Sequence, residues 1–396
     1  MTAALPAEAP LAGRLASTRW ALLFGNFAIG CGVMVVAGSL NDLVRSLQVS
    51  VALGGQLIAI GAAVMCFAAP LLAGWVSGFD RRRLLSFALL WFAIGHAASA
   101  LMPDYAALLP VRGLSVLGAA VFTPQAAAAV AFMAPPAERG RAITFIFLGW
   151  SAASVLGMPM AAWLGASFGW RSAFLAVALL ALIGAIWVAV VMPDGVKPAA
   201  LSLAAWKGVF AHPLLMAMVG VTALLSAGQF ALLSFIAPYA RQVLHASPLE
   251  LSGLFGWFGL LGLIGTLLLS RHIDQIGAGR AATLAMLLTA TTLLFWPLAD
   301  GVTIAALLMI PWALAMFAAN SAQQARLNEA APAWAAALLA LNSSAIYFGQ
   351  AVGSSSGGWL VEHAGYAALS WFGLCFVLAA IAVSVWVNRR IAPRLA

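Results

Sequence analysis

Residues 74–85 read GWVSGFDRRRLL. Before them, residues 51–73 read VALGGQLIAIGAAVMCFAAPLLA; after them, residues 86–102 read SFALLWFAIGHAASALM. Neither flank holds an Asp, Glu, Lys or Arg. A short cationic turn between two uncharged runs of this length is the pattern of a hairpin whose arms lie in lipid. A bilayer core about 30 Å thick takes about 20 apolar residues as a helix. Only helices and closed barrels satisfy every backbone group there. Barrel strands alternate with period two, and these runs are apolar throughout, so they are expected to be helices.

The same pattern extends over the chain. Of its 396 residues 64% are hydrophobic and 8% charged, where a soluble domain carries roughly a quarter charged. Twelve apolar segments are expected at 20–40, 51–75, 84–102, 107–131, 142–166, 172–192, 214–237, 251–270, 281–299, 302–322, 336–360 and 367–387. They are punctuated at Pro103-Asp104, Pro135-Pro136, Pro193-Asp194-Gly195, Asp300-Gly301 and Pro332. Lys and Arg are retained on the cytoplasmic side. Fifteen of the nineteen lie in segments on the side of the N-terminus, and only Arg45, Arg171 and Arg241 lie opposite; Arg112 falls within a span. Both termini are therefore expected in the cytoplasm, with DRRR as a cytoplasmic turn. The net charge of +8 is split among short loops, which speaks against a nucleic-acid partner. No cleavable signal peptide is expected, since residues 1–19 hold no apolar core.

The chain repeats itself. GMPMAAWLGASFGW at 157–170 aligns with GSSSGGWLVEHAGY at 353–366, an offset of 196 that pairs Gly157 with Gly353, Trp163 with Trp359 and Gly169 with Gly365. The same offset pairs Asp104 with Asp300 and Pro136 with Pro332. Two halves of six helices follow, residues 1–192 and 214–396, joined by a cytoplasmic linker at 193–213. Repeated halves with a midplane site between them are a recurrent plan of secondary transporters.

Twelve spans in two repeated halves resemble the major facilitator superfamily. RGLSVLGAAVFTP at 112–124 and GWSAASVLGMP at 149–159 are similar to fourth- and fifth-helix motifs of its drug:proton antiporter branch. FGWRSAF at 168–174 resembles the sixth-helix entrance of bacterial arabinose-efflux and multidrug exporters. The resemblance implies an all-α membrane protein of two pseudo-symmetric six-helix halves. At the second cytoplasmic turn the family pattern carries an acid where Gly78 stands here, and either Asp80 substitutes for it or the latch of this half is weak. Asp274 of RHIDQIGAGR fits the pattern in the second half. Asp80, Arg82 and Asp274 are thus gate candidates. Gly149, Gly157 and Pro159 are candidates for close packing and a hinge.

Polar groups inside spans are costly in lipid and often functional. Asn26, Gln125, Gln229, Asn320, Gln323 and Tyr347 are substrate candidates; the resemblance places spans one, four, seven and ten around the cavity. Each amide is equally able to tie two helices together. Asp42 and Arg112 are proton-coupling candidates at similar depth, with His96 next; Asp42 can instead pair with Arg45 one turn on. No GxxxxGK[ST] occurs, so ATP is not the driver. The five histidines are scattered, without HExxH, and Cys31, Cys66 and Cys375 show no ligand spacing. No enzyme, cofactor or metal is expected. The expected protein is a monomeric secondary transporter of the bacterial inner membrane. It exports a small, largely uncharged drug-like or sugar-like compound against protons; uptake by symport or facilitation is the alternative.

Overall fold

The computed structural model describes residues 8–76, 78–135, 138–197 and 203–395. Pro136, expected as a break, lies outside them, as does the side chain of Asp274. Among the described residues all regular structure is helical. Among the described residues ten helices are long and apolar enough to cross a membrane, eleven when Val302–Leu308 and Ile310–Ala330, bent by 41°, count as one span.

The first half holds span one, Glu8–Leu47, span two, Val51–Trp75, and span three, Arg81–Leu101. Span four is Tyr105–Ser115 continued by Leu117–Met133, span five runs from Arg139 to Phe168, and span six is Trp170–Val191. A short helix, Leu203–Phe210, lies in the linker. The second half holds span seven, Pro213–Leu233 with Ile236–Gln242, span eight, Pro248–Ile276, and span nine, Ala278–Phe295. Span ten is the bent pair, span eleven is Ala335–Ala364, and span twelve is Ala367–Leu395. Span eleven has 30 residues, enough to cross, yet is not among the apolar helices. Asn342, Gln350, Ser354 and Ser355 dilute it because it packs between spans seven and two instead of facing lipid.

Helix contacts follow one pattern in the six spans before the linker and in the six after it. In the first half span one packs on five and six, three on four and six, and two on four; the second half repeats each pair with its counterpart. Gly169 and Gly365, paired by the 196 offset, both have positive φ, +86 and +75, at the turn into the last span of their half. A side chain is strained there, which explains why both copies keep glycine. Across the halves, span two lies against eleven and span five against eight.

The packing explains the composition. Interfaces are built of alanine and glycine, since lipid supplies no hydrophobic drive and helices gain by approaching closely. A Cβ on Gly149 would meet the carbonyl of Leu23, and one on Gly157 would stand 2.7 Å from Cys31 Sγ. These two glycines therefore seat span five on span one. Between them Ala153–Gly157 forms a turn of π-helix. It precedes Pro159, which has no N–H for the helix ladder and whose ring crowds the preceding turn. Spans three, six, nine and twelve turn large apolar side chains outward, including Ile94, Leu101, Leu179, Val190, Leu287 and Trp371. In water such a belt would be a severe liability; in lipid it is the ordinary surface.

Candidate functional site: the crevice between the halves

The two halves meet at one end. Ser355 Oγ donates to Gln56 Oε1 at 3.4 Å, and Asn41 Nδ2 donates to the Ala237 carbonyl at 2.9 Å. Among the described residues these are the hydrogen bonds between the halves. Both lie toward the end bearing Asp104 and Asp300. Around them a Cβ on Gly55 would stand 2.5 Å from the Phe235 ring, and one on Gly358 3.0 Å from Ala52 Cα. Mid-span, Gly259 of span eight lies against the backbone of Ser154 in the π-turn of span five. Toward the end bearing both termini no hydrogen bond joins the halves among the described residues. Among the described residues, the hydrogen bonds between the halves thus lie at one end.

Helical phase decides what faces it. Span ten turns Gln323 to the Met218 carbonyl of span seven at 2.6 Å, and Arg326 to Ser384 of span twelve. It turns Asn320 to Asn342 of span eleven at 3.1 Å, and Phe317 toward Gly262 of span eight. Gln324, partly exposed, is left between spans eight and eleven, with Tyr347 of span eleven also partly exposed.

Three other candidate amides, Asn26, Gln229 and Gln125, lie inside a half. Asn26 is fully buried; its Nδ2 donates to the Ile146 carbonyl at 3.1 Å, and its Oδ1 accepts from Thr123 at 3.0 Å. Gln229 is 4% exposed and faces Thr289 of span nine. Gln125 lies two turns on from Gly118, on the face packed against Ala88 and Phe92 of span three. The second half repeats the Asn26 node. Thr222 Oγ1 donates to Asn342 Oδ1 at 2.6 Å, and Asn342 Nδ2 donates to Asn320. Residues 222 and 342 stand at the 196 offset from 26 and 146. Thr123 and Thr222 carry no flag in the sequence, because a threonine in a span commonly bonds its own backbone; the repeat offset was the available signal.

The titratable residues sort differently from the expected pair. Asp42 binds Arg45 Nη2 at 2.6 Å and accepts from the Trp170 N–H at 2.6 Å. It closes the start of span six and does not meet Arg112. Arg112 instead donates from Nη1 to His96 Nε2 at 2.9 Å and from Nη2 to the Gly32 carbonyl at 2.9 Å. Both are buried, His96 at 0% and Arg112 at 2% exposure. His96 Nδ1 lies 2.8 Å from the Phe92 carbonyl. A carbonyl only accepts, so Nδ1 carries the proton and Nε2 offers its lone pair to the guanidinium. The 196 offset puts Thr292 and Leu308 at these places, and Thr292 Oγ1 donates to the Leu308 carbonyl at 2.8 Å. The second half thus fills with a neutral hydroxyl what the first fills with a His–Arg pair.

At the end bearing both termini, Asp80 caps span three, accepting from Arg82 N at 3.0 Å, and also accepts from Gly195 N at 2.6 Å. Arg82 donates to the Ala189 carbonyl at 2.6 Å and to Asp194 at 2.7 Å. Both gate candidates bind within their own half and the first linker residues. Gly78 has open space around it.

Known proteins resemble this chain in sequence and in fold. An uncharacterized MFS-type transporter of Bacillus subtilis, YbcL, is 27% identical over 365 residues, 91% of this chain and 93% of that protein. The inner membrane transport protein YdhP of Escherichia coli is 28% identical over 342 residues, 86% of this chain and 88% of that one. Among solved structures, a D-xylose–proton symporter superposes with a TM-score of 0.75 at 20% identity, covering 93% of this chain and 97% of that one. A bacterial homolog of the human lysosomal transporter Spinster, inward-facing and occupied, gives 0.76 at 18%, covering 94% and 97%. The family model of the Major Facilitator Superfamily matches residues 22–353. The chain belongs to the major facilitator superfamily, and it is a multi-pass secondary transporter of small molecules, not an enzyme.

Proposed function

We propose that this protein exports a small, largely uncharged organic compound in exchange for protons, as a member of the drug:proton antiporter branch in a bacterial inner membrane. The observation that carries the mechanism is the contact between the halves at one end, through Gln56–Ser355 and Asn41–Ala237. Residues 1–192 and 214–396 rock about it as monomeric units joined by the linker at 193–213. With both termini cytoplasmic, the closed end is the outer one and the crevice opens inward.

Substrate contact falls to Asn320 and Tyr347 with Gln324, at the crevice face of spans ten and eleven. Asn26 ties span one to spans four and five, Gln229 ties span seven to span nine, and Gln323 ties span ten to span seven. They hold the helices around the crevice, while Gln125 is buried on the span-three side of span four. Proton coupling falls to His96 and Arg112. Protonating His96 Nε2 removes the acceptor and sets two cations side by side, which drives Arg112 away from span three. Asp42, with both oxygens bound outside this pair, serves as a cap. Asp80 and Arg82 steady the turn before span three against the linker, while Gly149, Gly157 and Pro159 seat and bend span five; Asp274 is assigned to the gate of the second half by the family pattern.

The test is flux in proteoliposomes with a panel of neutral sugars and drugs, under an imposed pH gradient. Export-type exchange predicts that a substrate releases protons in the opposite sense. Movement of both in one direction would establish symport instead, and flux indifferent to the gradient would establish facilitation. His96→Gln should leave downhill flux and lose the gradient dependence.

A further inference from the structure

A small cavity lies between the halves beside Arg112. It measures about 10 Å³ and is lined by Val33, Ile58, Gly61, Met65, Arg112 and Gln350, among others. Gln350 comes from span eleven, so both halves contribute to its wall. Arg112 is 2% exposed, and its Nε has no hydrogen-bond partner. That Nε faces the cavity at Gly61: a Cβ built there would stand 3.8 Å from Nε and 3.9 Å from Nη2.

The charge around this site does not balance. The acceptors of Arg112 are His96 Nε2 and the carbonyls of Gly32 and Val33, all neutral. No carboxylate forms an ion pair with it among the described residues. A buried cation in a membrane span ordinarily has an anionic partner. A water in the cavity would satisfy the Nε–H but supply no charge. The volume admits about one water-sized occupant. Chloride and bromide are larger than water, so they enter only as unbranched Met65 yields; a metabolite cannot enter.

We propose that this cavity is a binding site for a halide-sized monovalent anion, held between the Arg112 guanidinium and the Gln350 amide. The anion takes the Nε–H of Arg112 and an N–H of the Gln350 amide. Because those residues belong to different halves, its binding strengthens the closed end of the crevice, and its release accompanies separation there. The site stands apart from the proposed substrate face and does not rest on the direction of transport.

The experiment is thermal unfolding of the purified full-length protein in chloride or bromide against gluconate at equal ionic strength. The expected result is a saturable rise in Tm with either halide and none with gluconate, which is too large. Gly61→Ala puts a methyl where the anion sits, yet its Cβ has no neighbour nearer than 3.7 Å, so the variant folds. It should raise the half-saturating chloride concentration by about tenfold or more, the loss of one charge-assisted hydrogen bond. Arg112→Gln, where it folds, should abolish the shift. Equal Tm in chloride and gluconate means the cavity holds only water and overturns the proposal. A chloride shift unchanged in Gly61→Ala overturns it as well, because the anion then binds elsewhere.

Discussion

His96 and Arg112 show how a single contact is read at the residue scale. Arg112 is buried, and His96 is the side-chain acceptor for its guanidinium. His96→Ala removes that acceptor and leaves the cation short of a partner. We expect a loss of about 1.5–3 kcal/mol, the range for a hydrogen bond to a charged group whose partner is removed. His96→Gln restores a carbonyl near the same place and should recover most of it; unfolding midpoints of the two variants decide this. Asp42 is the contrasting case. Its pair with Arg45 joins a side chain 13% exposed to one 78% exposed, a geometry worth at most about 1 kcal/mol. Asn at 42 keeps an oxygen for the Trp170 N–H. Asp42→Asn should therefore stay within about 1 kcal/mol of the native stability and retain gradient-driven flux. Loss of gradient dependence in Asp42→Asn would move the proton carrier to that residue.

Among elements, spans five and eight carry the tightest approach between the halves. A Cβ on Gly259 would meet the carbonyl of Ser154 and stand 2.7 Å from Val155 Cα, within the π-turn of span five. Backbone there cannot yield as a side-chain tip can. Gly259→Val should hold the two spans apart and lower flux by about tenfold, equivalent to about 1.4 kcal/mol. Gly253, six residues earlier on the same helix, has nothing within 4 Å of a built Cβ. Gly253→Ala should leave flux unchanged, so the pair separates a packing effect from a loss of helix flexibility. At the other end, Asp80 caps span three and holds Gly195 of the linker. Asp80→Ala should cost about 1 kcal/mol, the usual value of an N-cap, and increase proteolytic cleavage within residues 193–197.

For the whole molecule, exchange between a crevice open at one end and at the other requires Gln56 and Ser355 to part. A disulfide between cysteines at 56 and 355, in a background without Cys375, should stop transport, and reductant should restore it. Cys375 is the exposed native cysteine; Cys31 and Cys66 are buried. Continued flux with the bridge formed would show that this end stays shut throughout the cycle. Orientation is checked by labelling intact cells. Cysteines at 104 and 300 should react with an impermeant reagent, and ones at 82 and 207 should not. Labelling at 82 would invert the topology and make the closed end the cytoplasmic one.

The sequence alone determined that the chain is helical and that it lives in lipid, and its repeat at an offset of 196 points to a chain built twice. Each rests on a property summed over many residues. Hydropathy depends only on composition along about 20 residues. The repeat at 196 was legible because paired turns such as Gly169 and Gly365 need the same backbone geometry. What the amides and charges do was left to the tertiary structure. An amide such as Asn26 can line a cavity or tie span one to spans four and five, and the two uses leave the same letter in the sequence. Depth alone set Asp42 beside Arg112; rotation about the helix axes sends Asp42 to Trp170 and Arg112 to His96. A rotation of about 100° per residue separates those outcomes, and only neighbouring helices, packed through glycine and alanine, set it.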